Sequence, residues 1–283
     1  RAADSIAALS LIALEGSLEP FDPRISAVKP HPGQKSTAEN MRNLLLQTDY
    51  GTSLNASHLQ DPYCLRCIPQ VHGASRDHIN FAAKTLETEL NSSTDNPIVI
   101  DSETVLHGGN FHGQTAAMSC DLLAIATSEL ASISEQRTAR LVSGYKGKLP
   151  DFLSQKSGLN CGFMILHVAA ASLVSENKVL SHPASVDSIP TSAAKEDHVS
   201  MGPIAARKAR EITKNTAACL AIELLAACQA LDLKSQNKLS GPLAEVYSKV
   251  RSISPKLEED RSLTADIEQI SKLILSGKLE KSA

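Results

Sequence analysis

Apolar residues recur at helical spacing along most of the chain, and this pattern predicts a series of helices. The first run, 2–15, ends at Gly16, and a second begins at Ser36, which opens a Ser-Thr-Ala-Glu sequence with capping-box spacing. The stretch 17–35 carries four prolines and is predicted to be a surface loop. Further helices are predicted over 36–47, 69–90, 114–142, 161–180, 202–231, 242–253 and 263–275.

The same pattern predicts how some of these helices are buried. The helix 161–180 is apolar nearly all round and is expected to be buried on all sides. Segments 98–100 and 104–106 predict at most a short β-hairpin. We therefore expect an all-α fold, a bundle of long antiparallel helices forming a single helical domain over residues 1–283. In the helix 114–142, Met118, Leu122, Ile125 and Ile133 have roughly the spacing of one helical stripe.

The composition narrows the classes of function. The 283 residues are 42% hydrophobic, as in a globular protein, while a net charge of -3 and 3% aromatic residues disfavour nucleic-acid binding. The longest apolar runs, 161–174 and 217–231, are shorter than the roughly 20 residues that a membrane span needs, and Glu223 interrupts the second. No export signal opens the chain, so we expect a cytoplasmic protein with reduced cysteines. The glycosylation patterns at Asn55 and Asn91 then mean little.

Two pairs of side chains were considered as metal sites. Cys64 and Cys67 form a Cys-x-x-Cys pair, but the sequence offers no further ligands at zinc spacing and no βαβ setting for a redox motif. His107 and His112 are a second pair, and structural histidines held by hydrogen bonds are commoner than such ligands. We therefore expect no metal, and interpret the two cysteines as small side chains beside a turn.

Three polar segments stand out because helix packing does not require them. Segment 60–66 places an amide, a phenol and a guanidinium before a helix, and arginine can hold a carboxylate with two parallel hydrogen bonds. Segment 107–114 has three glycines, although not at nucleotide-loop spacing. Segment 195–202 precedes a long helix, whose dipole by itself explains Glu196 and Asp197. Each segment is also explained as a solvated loop; the alternative is that all three converge on one site.

These segments resemble the aromatic amino-acid ammonia-lyase family, and within it the histidine ammonia-lyases. The resemblance spans essentially the whole chain and is dense from residue 60 to 233. It implies elimination of ammonia from an amino acid, which for L-histidine gives trans-urocanate in histidine catabolism. The matching stretches are QDPYCLRCIPQVHGASRD (60–77), ELNSSTDNPIV (89–99), HGGNFHGQ (107–114), SEQRTARL (134–141), GLNCGFMI (158–165), VSENKVLSHPASVDSIPTSA (174–193), EDHVSMG (196–202) and AIELLAACQALDL (221–233).

The resemblance implies roles for five residues. Arg66 resembles the residue that holds the substrate carboxylate, and Tyr63 an active-site tyrosine that assists the chemistry or positions the electrophile. Gln60 resembles a polar neighbour of that electrophile, and Phe111 a pocket residue beside it. Glu196 resembles the acid that meets the imidazole of histidine or assists proton transfer. A carboxylate there can accept an imidazole N–H, which favours histidine over phenylalanine or tyrosine as substrate.

The resemblance also implies a cofactor and partners. The family's electrophile, methylidene-imidazolone, forms autocatalytically from an Ala-Ser-Gly triplet, which this sequence lacks. Because the chain also begins at Arg1, we expect it to be the C-terminal portion of an enzyme that is inactive without its N-terminal half. We expect a small amino-acid substrate, a homotetramer with shared active sites or a complementing N-terminal chain, and neither nucleic acid nor membrane. Lys195 and Gln136 depart from the family pattern, at positions where an uncharged residue and an arginine are usual.

Two alternatives stay open on the sequence. The first is a phenylalanine or tyrosine ammonia-lyase, or an aminomutase, of the same family. The second is a non-catalytic helical assembly protein, an interpretation that the missing triplet supports.

Overall fold

The computed structural model describes residues 1–48, 60–144, 147–156, 158–234 and 239–280, so the pattern at Asn55 lies outside the described residues. The fold is all-α, as the sequence predicts, and its two short strands form the expected hairpin, with Ile98 opposite Leu106. The elements in chain order are α1 (Ala2–Leu14), α2 (Pro23–Val28), α3 (Pro32–Leu46), α4 (Tyr63–Arg66), α5 (Ile68–Leu90), β1 (Ile98–Val99), β2 (Val105–Leu106), α6 (Gln114–Val142), α7 (Met164–Leu180), α8 (Gly202–Leu233), α9 (Gly241–Ile253) and α10 (Thr264–Leu275).

The long helices form an up-and-down bundle around α6 and α8. Helix α5 runs antiparallel to α6, and α7 runs antiparallel to α8, so that α6 and α8 themselves are parallel. Antiparallel neighbours are the arrangement expected of helices joined by short connections. Two contacts for each pair fix the directions. Thr127 with Thr216 (3.2 Å) and Arg137 with Glu223 (2.6 Å) make α6 and α8 parallel, and Asn177 with Asn215 (3.1 Å) and Ala170 with Cys219 (3.7 Å) make α7 and α8 antiparallel. The contact of Arg137, near the end of α6, with His72, near the start of α5, accords with antiparallel α5 and α6.

Helix α8 is the centre of the core. Its apolar run 217–231 is almost entirely buried, and α1 packs against it with Ile6, Leu9 and Leu11 fully excluded from solvent. By length and apolar composition, α6 and α8 are the described helices that pass the test for a membrane span. The most apolar window of α8 is 83% buried inside the bundle, which is the environment of a core helix.

The proline-rich stretch 17–35 is not the predicted loop. It contains a short 3-10 turn, the whole of α2 and the start of α3, and prolines stand in the first turn of each. A proline there lacks only an N–H that the helix would leave unbonded, and its fixed φ suits helical backbone. Helix α3 therefore begins at Pro32 rather than at Ser36, and the predicted capping box lies inside the helix, where it caps nothing.

The prediction that helix 161–180 is buried on all sides is wrong for this chain, and α6 also leaves part of its apolar stripe exposed. Met118 and Ile125, from that stripe, are 59% and 43% exposed. Helix α7 is buried only along the line of Ala170 and Val174, and its opposite face is exposed. The reason is that this part of the bundle packs on one side only. Apolar composition marks these residues for burial, but the described part of the chain supplies no second neighbour to cover them.

Candidate functional site

The segment 60–66, here called the clamp segment, forms one wall of an open cleft. Gln60 and Arg66 both line this cleft, whose volume is about 380 Å³. Asp61 between them is buried, and its carboxylate accepts a hydrogen bond of 2.5 Å from the backbone N–H of Ser17. Pro62 then provides the extended residue before α4, which places Arg66 at the end of that helix. Local sequence thus holds an amide and a guanidinium on the same cavity.

Tyr63 lies beside Arg66 and outside the cleft lining. The central carbon of the Arg66 guanidinium is 4.9 Å from the centre of the Tyr63 ring, within the range of a cation–π contact. The Tyr63 side chain is 72% exposed. The structure therefore places Gln60 and Arg66 on one cleft, and Tyr63 against the Arg66 guanidinium outside it.

Gln70 also lines the cleft, and the sequence reasoning missed it. Its buried Oε1 accepts no hydrogen bond from the described residues, so it could accept one from a ligand in the cleft. Gln70 follows Arg66 by four residues across an almost continuous pair of helices, and that spacing puts the two side chains on one face. The spacing was therefore the available signal.

The segments 107–114 and 195–202, here called the paired loops, meet each other. The rings of His112 and His198 stack with their centres 5.4 Å apart, and His112 Nε2 lies 3.1 Å from the backbone oxygen of His198. A side chain at Gly113 would come within 3.0 Å of Ser200 Oγ, so glycine permits the close approach. Phe111, next to the stacked pair, is 59% exposed.

Glu196 stands at the end of an unusual turn in the second of the paired loops. Its Oε2 accepts a hydrogen bond of 2.7 Å from Thr191 Oγ1, and the same two residues form an isolated β-bridge. Between them, 192–194 all have positive φ. The Glu196 side chain is exposed in this chain.

Two helix N-termini point at the paired loops. Helix α6 begins after Gly113 and α8 after Met201, and neither has a capping side chain or an acid in its first turn. The free backbone N–H groups give each terminus a partial positive charge. Together they favour a negative group beside the first residues of α6 and α8.

The clamp segment and the paired loops lie at opposite ends of α6. Arg137 near the end of α6 donates a hydrogen bond of 3.4 Å to the backbone oxygen of Cys64, whereas the paired loops adjoin Gln114 at its start. At 1.5 Å per residue, 23 residues of helix separate these points by about 35 Å. Within one chain, the structure therefore brings together two of the three polar segments, and leaves Arg66 far from Glu196.

A buried polar network accompanies the clamp segment, and the sequence did not reveal it. Arg137 and Glu223 pair in the core, and His72 Nδ1 lies 2.8 Å from Asp4 Oδ1. Burial opposes ionisation of Asp4, but the hydrogen bond from His72 and the charge of Arg76 outweigh it and lower the pKa of this carboxyl to about 2. Complete burial lowers the pKa of the His72 ring.

The pairs considered as metal sites take no third ligand in the part of the chain that the structure describes. No group of three His, Cys, Asp or Glu side chains there is arranged to hold a metal ion. Burial raises the pKa of the Cys64 thiol, which keeps it protonated and unreactive. Cys67 is half-buried and lines the cleft beside Arg66.

Comparison with known proteins gives consistent matches along the chain. A sequence profile of the family described as aromatic amino acid lyase matches residues 1–252. A histidine ammonia-lyase of Anaeromyxobacter sp. (strain K) is 51% identical to this chain over an alignment of 286 positions. The alignment covers 98% of this chain and 56% of that protein. The chain thus spans about half the length of the curated relatives it matches.

Two solved structures superpose closely. The histidine ammonia-lyase from Trypanosoma cruzi has a TM-score of 0.90 and 47% sequence identity, covering 99% of this chain and 53% of its own. The tyrosine aminomutase from Streptomyces globisporus has a TM-score of 0.90 and 35% identity, covering 98% of this chain and 57% of its own.

Proposed function

We propose that this chain, which belongs to the aromatic amino acid lyase family, is the C-terminal portion of a histidine ammonia-lyase. Such an enzyme converts L-histidine to trans-urocanate and ammonia. The observation that carries this is the 51% identity to a histidine ammonia-lyase over 98% of the chain. The tyrosine aminomutase has the same fold at 35% identity, so an aminomutase or an ammonia-lyase for phenylalanine or tyrosine is the second candidate.

The clamp segment supplies the groups that bind the amino-acid end of the substrate. The Arg66 guanidinium would hold the carboxylate through two parallel hydrogen bonds, in the cleft that it shares with Gln60 and Gln70. Binding in this way fixes the substrate's orientation, which lowers the barrier by removing rotational freedom before the reaction. Tyr63, in contact with Arg66, is the nearby group able to move a proton.

The paired loops supply the groups that meet the side chain of the substrate. Phe111 would form an apolar wall, and Glu196 would accept the N–H of the imidazole ring. A phenyl ring offers no hydrogen-bond donor to this carboxylate, which favours histidine over phenylalanine as the substrate.

The family's methylidene-imidazolone fits these residues as a neighbour. The cleft beside Gln60 and Arg66 is open and holds Gln70 Oε1, which accepts no hydrogen bond from any described residue and could accept one from a second component. The group supplies an electron sink, without which the weakly acidic β-proton of an amino acid is hard to remove. Because Ala-Ser-Gly does not occur among the 283 residues, another segment must provide it.

The separation along α6 supports an assembly in which copies share their sites. Arg66 and Glu196 act on opposite ends of one small substrate, yet they lie at opposite ends of a helix about 43 Å long. Two copies must then contribute to each site. The exposed apolar side chains Ile165, Val168 and Val179 of α7 offer surface for such contacts. We propose a cytoplasmic homotetramer in which this chain forms a single helical domain.

The test is turnover by the complete protein, with the N-terminal half on the same chain or supplied separately. Histidine, phenylalanine and tyrosine are compared side by side, and urocanate is followed by its ultraviolet absorbance. We expect turnover of histidine alone, and none by residues 1–283 without the other half. A complete protein with a cyclised triplet that ignores histidine but converts tyrosine would establish the second candidate. No turnover of any of the three would favour a non-catalytic assembly protein.

A further inference from the structure

The turn that carries Glu196 is built from unfavourable backbone. Ser192, Ala193 and Ala194 have φ values of 53°, 56° and 63°, and each is an ordinary L residue with a Cβ. The left-handed region is disfavoured for such residues because the Cβ crowds the following carbonyl oxygen. Three in succession persist only where surrounding contacts hold them, and such segments cluster at functional sites.

Thr191 provides the contacts that hold this turn closed. Its backbone N–H donates to the backbone oxygen of Glu196 at 2.9 Å, and the backbone N–H of Glu196 donates to the backbone oxygen of Thr191 at 3.3 Å. Its hydroxyl donates to Glu196 Oε2 at 2.7 Å. The two backbone bonds fix where the main chain of Glu196 lies, and the third bond fixes where its carboxylate lies.

We infer that Thr191 is a positioning residue for Glu196, holding the carboxylate in one orientation before substrate arrives. This inference rests on the proposed function, in which Glu196 meets the imidazole of histidine. A glutamate side chain has three rotatable bonds, and one hydroxyl contact removes much of that freedom. Only one carboxylate oxygen is engaged by Thr191, so Oε1 is left for the substrate N–H.

The decisive variant is Thr191→Val in the complete enzyme. Valine has the shape of threonine and suits the extended backbone at this residue (φ -130°, ψ 178°), but it cannot donate. We expect KM for histidine to rise roughly three- to tenfold, the range for one hydrogen bond, with kcat changed less than about twofold. Thr191→Ser restores the hydroxyl and should restore KM. Should the valine enzyme not assemble, Thr191→Ala removes the same hydroxyl.

A double variant separates this inference from the proposed function. In a Glu196→Ala background, Thr191→Val should change KM less than about twofold, because the group it positions is gone. An equal rise in both backgrounds, or no rise in either, would overturn the role of Thr191 and leave the lyase intact. If Glu196→Ala itself leaves histidine turnover unchanged, Glu196 is outside the site and both proposals for it fail. Thr88→Val, on the exposed end of α5 where the hydroxyl only bonds its own helix, is the matched control.

Discussion

Arg137 and Glu223 are joined by two parallel hydrogen bonds in the core, Nε to Oε1 at 2.6 Å and Nη2 to Oε2 at 2.9 Å, with both side chains completely excluded from solvent. Ser10 Oγ also donates a hydrogen bond of 2.6 Å to Glu223 Oε1. The pair therefore connects α1, α6 and α8, and through Cys64 it reaches the clamp segment. Its two charges are tolerated only because each neutralises the other.

Glu223→Gln should destabilise the chain by about 3–5 kcal/mol, since it leaves the buried Arg137 cation without its counter-charge. The free energy of urea unfolding measures this. Glu211→Gln, which breaks the half-exposed pair with Lys214, is the control and should change stability by less than about 1 kcal/mol. Replacing the pair together, as Arg137→Met with Glu223→Leu, should recover much of the loss. Equal effects of the two glutamine variants would contradict this account.

Acid should weaken the fold through His72 and Asp4. Burial lowers the pKa of the His72 ring in the folded chain, whereas the same ring in the unfolded chain has a pKa of about 6.5. Below about pH 6.5 the unfolded chain therefore binds more protons at His72 than the folded chain does. Stability is thus full above that pH and falls as the pH drops. Asp4, with a folded pKa of about 2, adds a loss of roughly 2 kcal/mol between pH 4 and 2.

The measurement is the unfolding free energy between pH 7.5 and 5. We expect the slope of the wild type to exceed that of His72→Gln by up to about 1.4 kcal/mol per pH unit, which is one proton. His78→Gln, at an exposed ring on the same helix that contacts the backbone oxygen of Ala74, is the control for removing a histidine. A His72 variant with the slope of the wild type would show that this ring does not titrate on unfolding.

Gly73→Ala should be destabilising, although alanine is the better helix former. An added Cβ would lie 2.4 Å from the backbone nitrogen of Gln34, because α3 and α5 touch where Gly33 faces Gly73. Backbone cannot move aside as a side chain does, so we expect a loss of about 2–3 kcal/mol instead of a gain of about 1. Thermal unfolding decides the sign. Gly108→Ala, where the added carbon meets nothing within 4 Å, should be nearly neutral.

Arg66→Ala in the complete enzyme should lower kcat/KM by an amount equivalent to roughly 2–5 kcal/mol, as for the loss of one partner of a buried charge pair. Arg66→Lys should recover only part, because an ammonium cannot make two parallel bonds to a carboxylate. Arg24→Ala, at a guanidinium paired with Asp22 and 89% exposed, is the control. Steady-state kinetics with histidine test all three, and unchanged values for the alanine variant would remove Arg66 from the site.

The sequence predicted most of the helices because their apolar residues repeat at a regular spacing. Helices α6 and α8 begin at Gln114 and Gly202, the residues at which the sequence predicts their starts. It failed in 17–35, since proline is read as a breaker of helices although it also suits their first turn. It failed again on the exposed face of α7, because a pattern records which residues are apolar and not what covers them.

The candidate site was predictable in its parts and not in its arrangement. The clamp segment and Gln70 lie within the eleven residues 60–70, and this local spacing is enough to bring Gln60, Arg66 and Gln70 to one cleft. The contact of Thr191 with Glu196 depends on positive φ values at 192–194, none of which is glycine. No sequence pattern predicts such backbone. Glu223 was visible only as an acid that interrupts an apolar run, and its partner Arg137 is 86 residues away.

The length of α6 has a genetic consequence under the proposed function. If every site takes Arg66 from one copy and Glu196 from another, a defect in either residue affects only the half of a site that its own copy contributes. Chains carrying Arg66→Ala and chains carrying Glu196→Gln, each inactive alone, should regain activity when they assemble together. Random mixing leaves about one quarter of the sites with both native residues. The length of α6 thus allows the two inactive variants to complement each other in a mixed assembly.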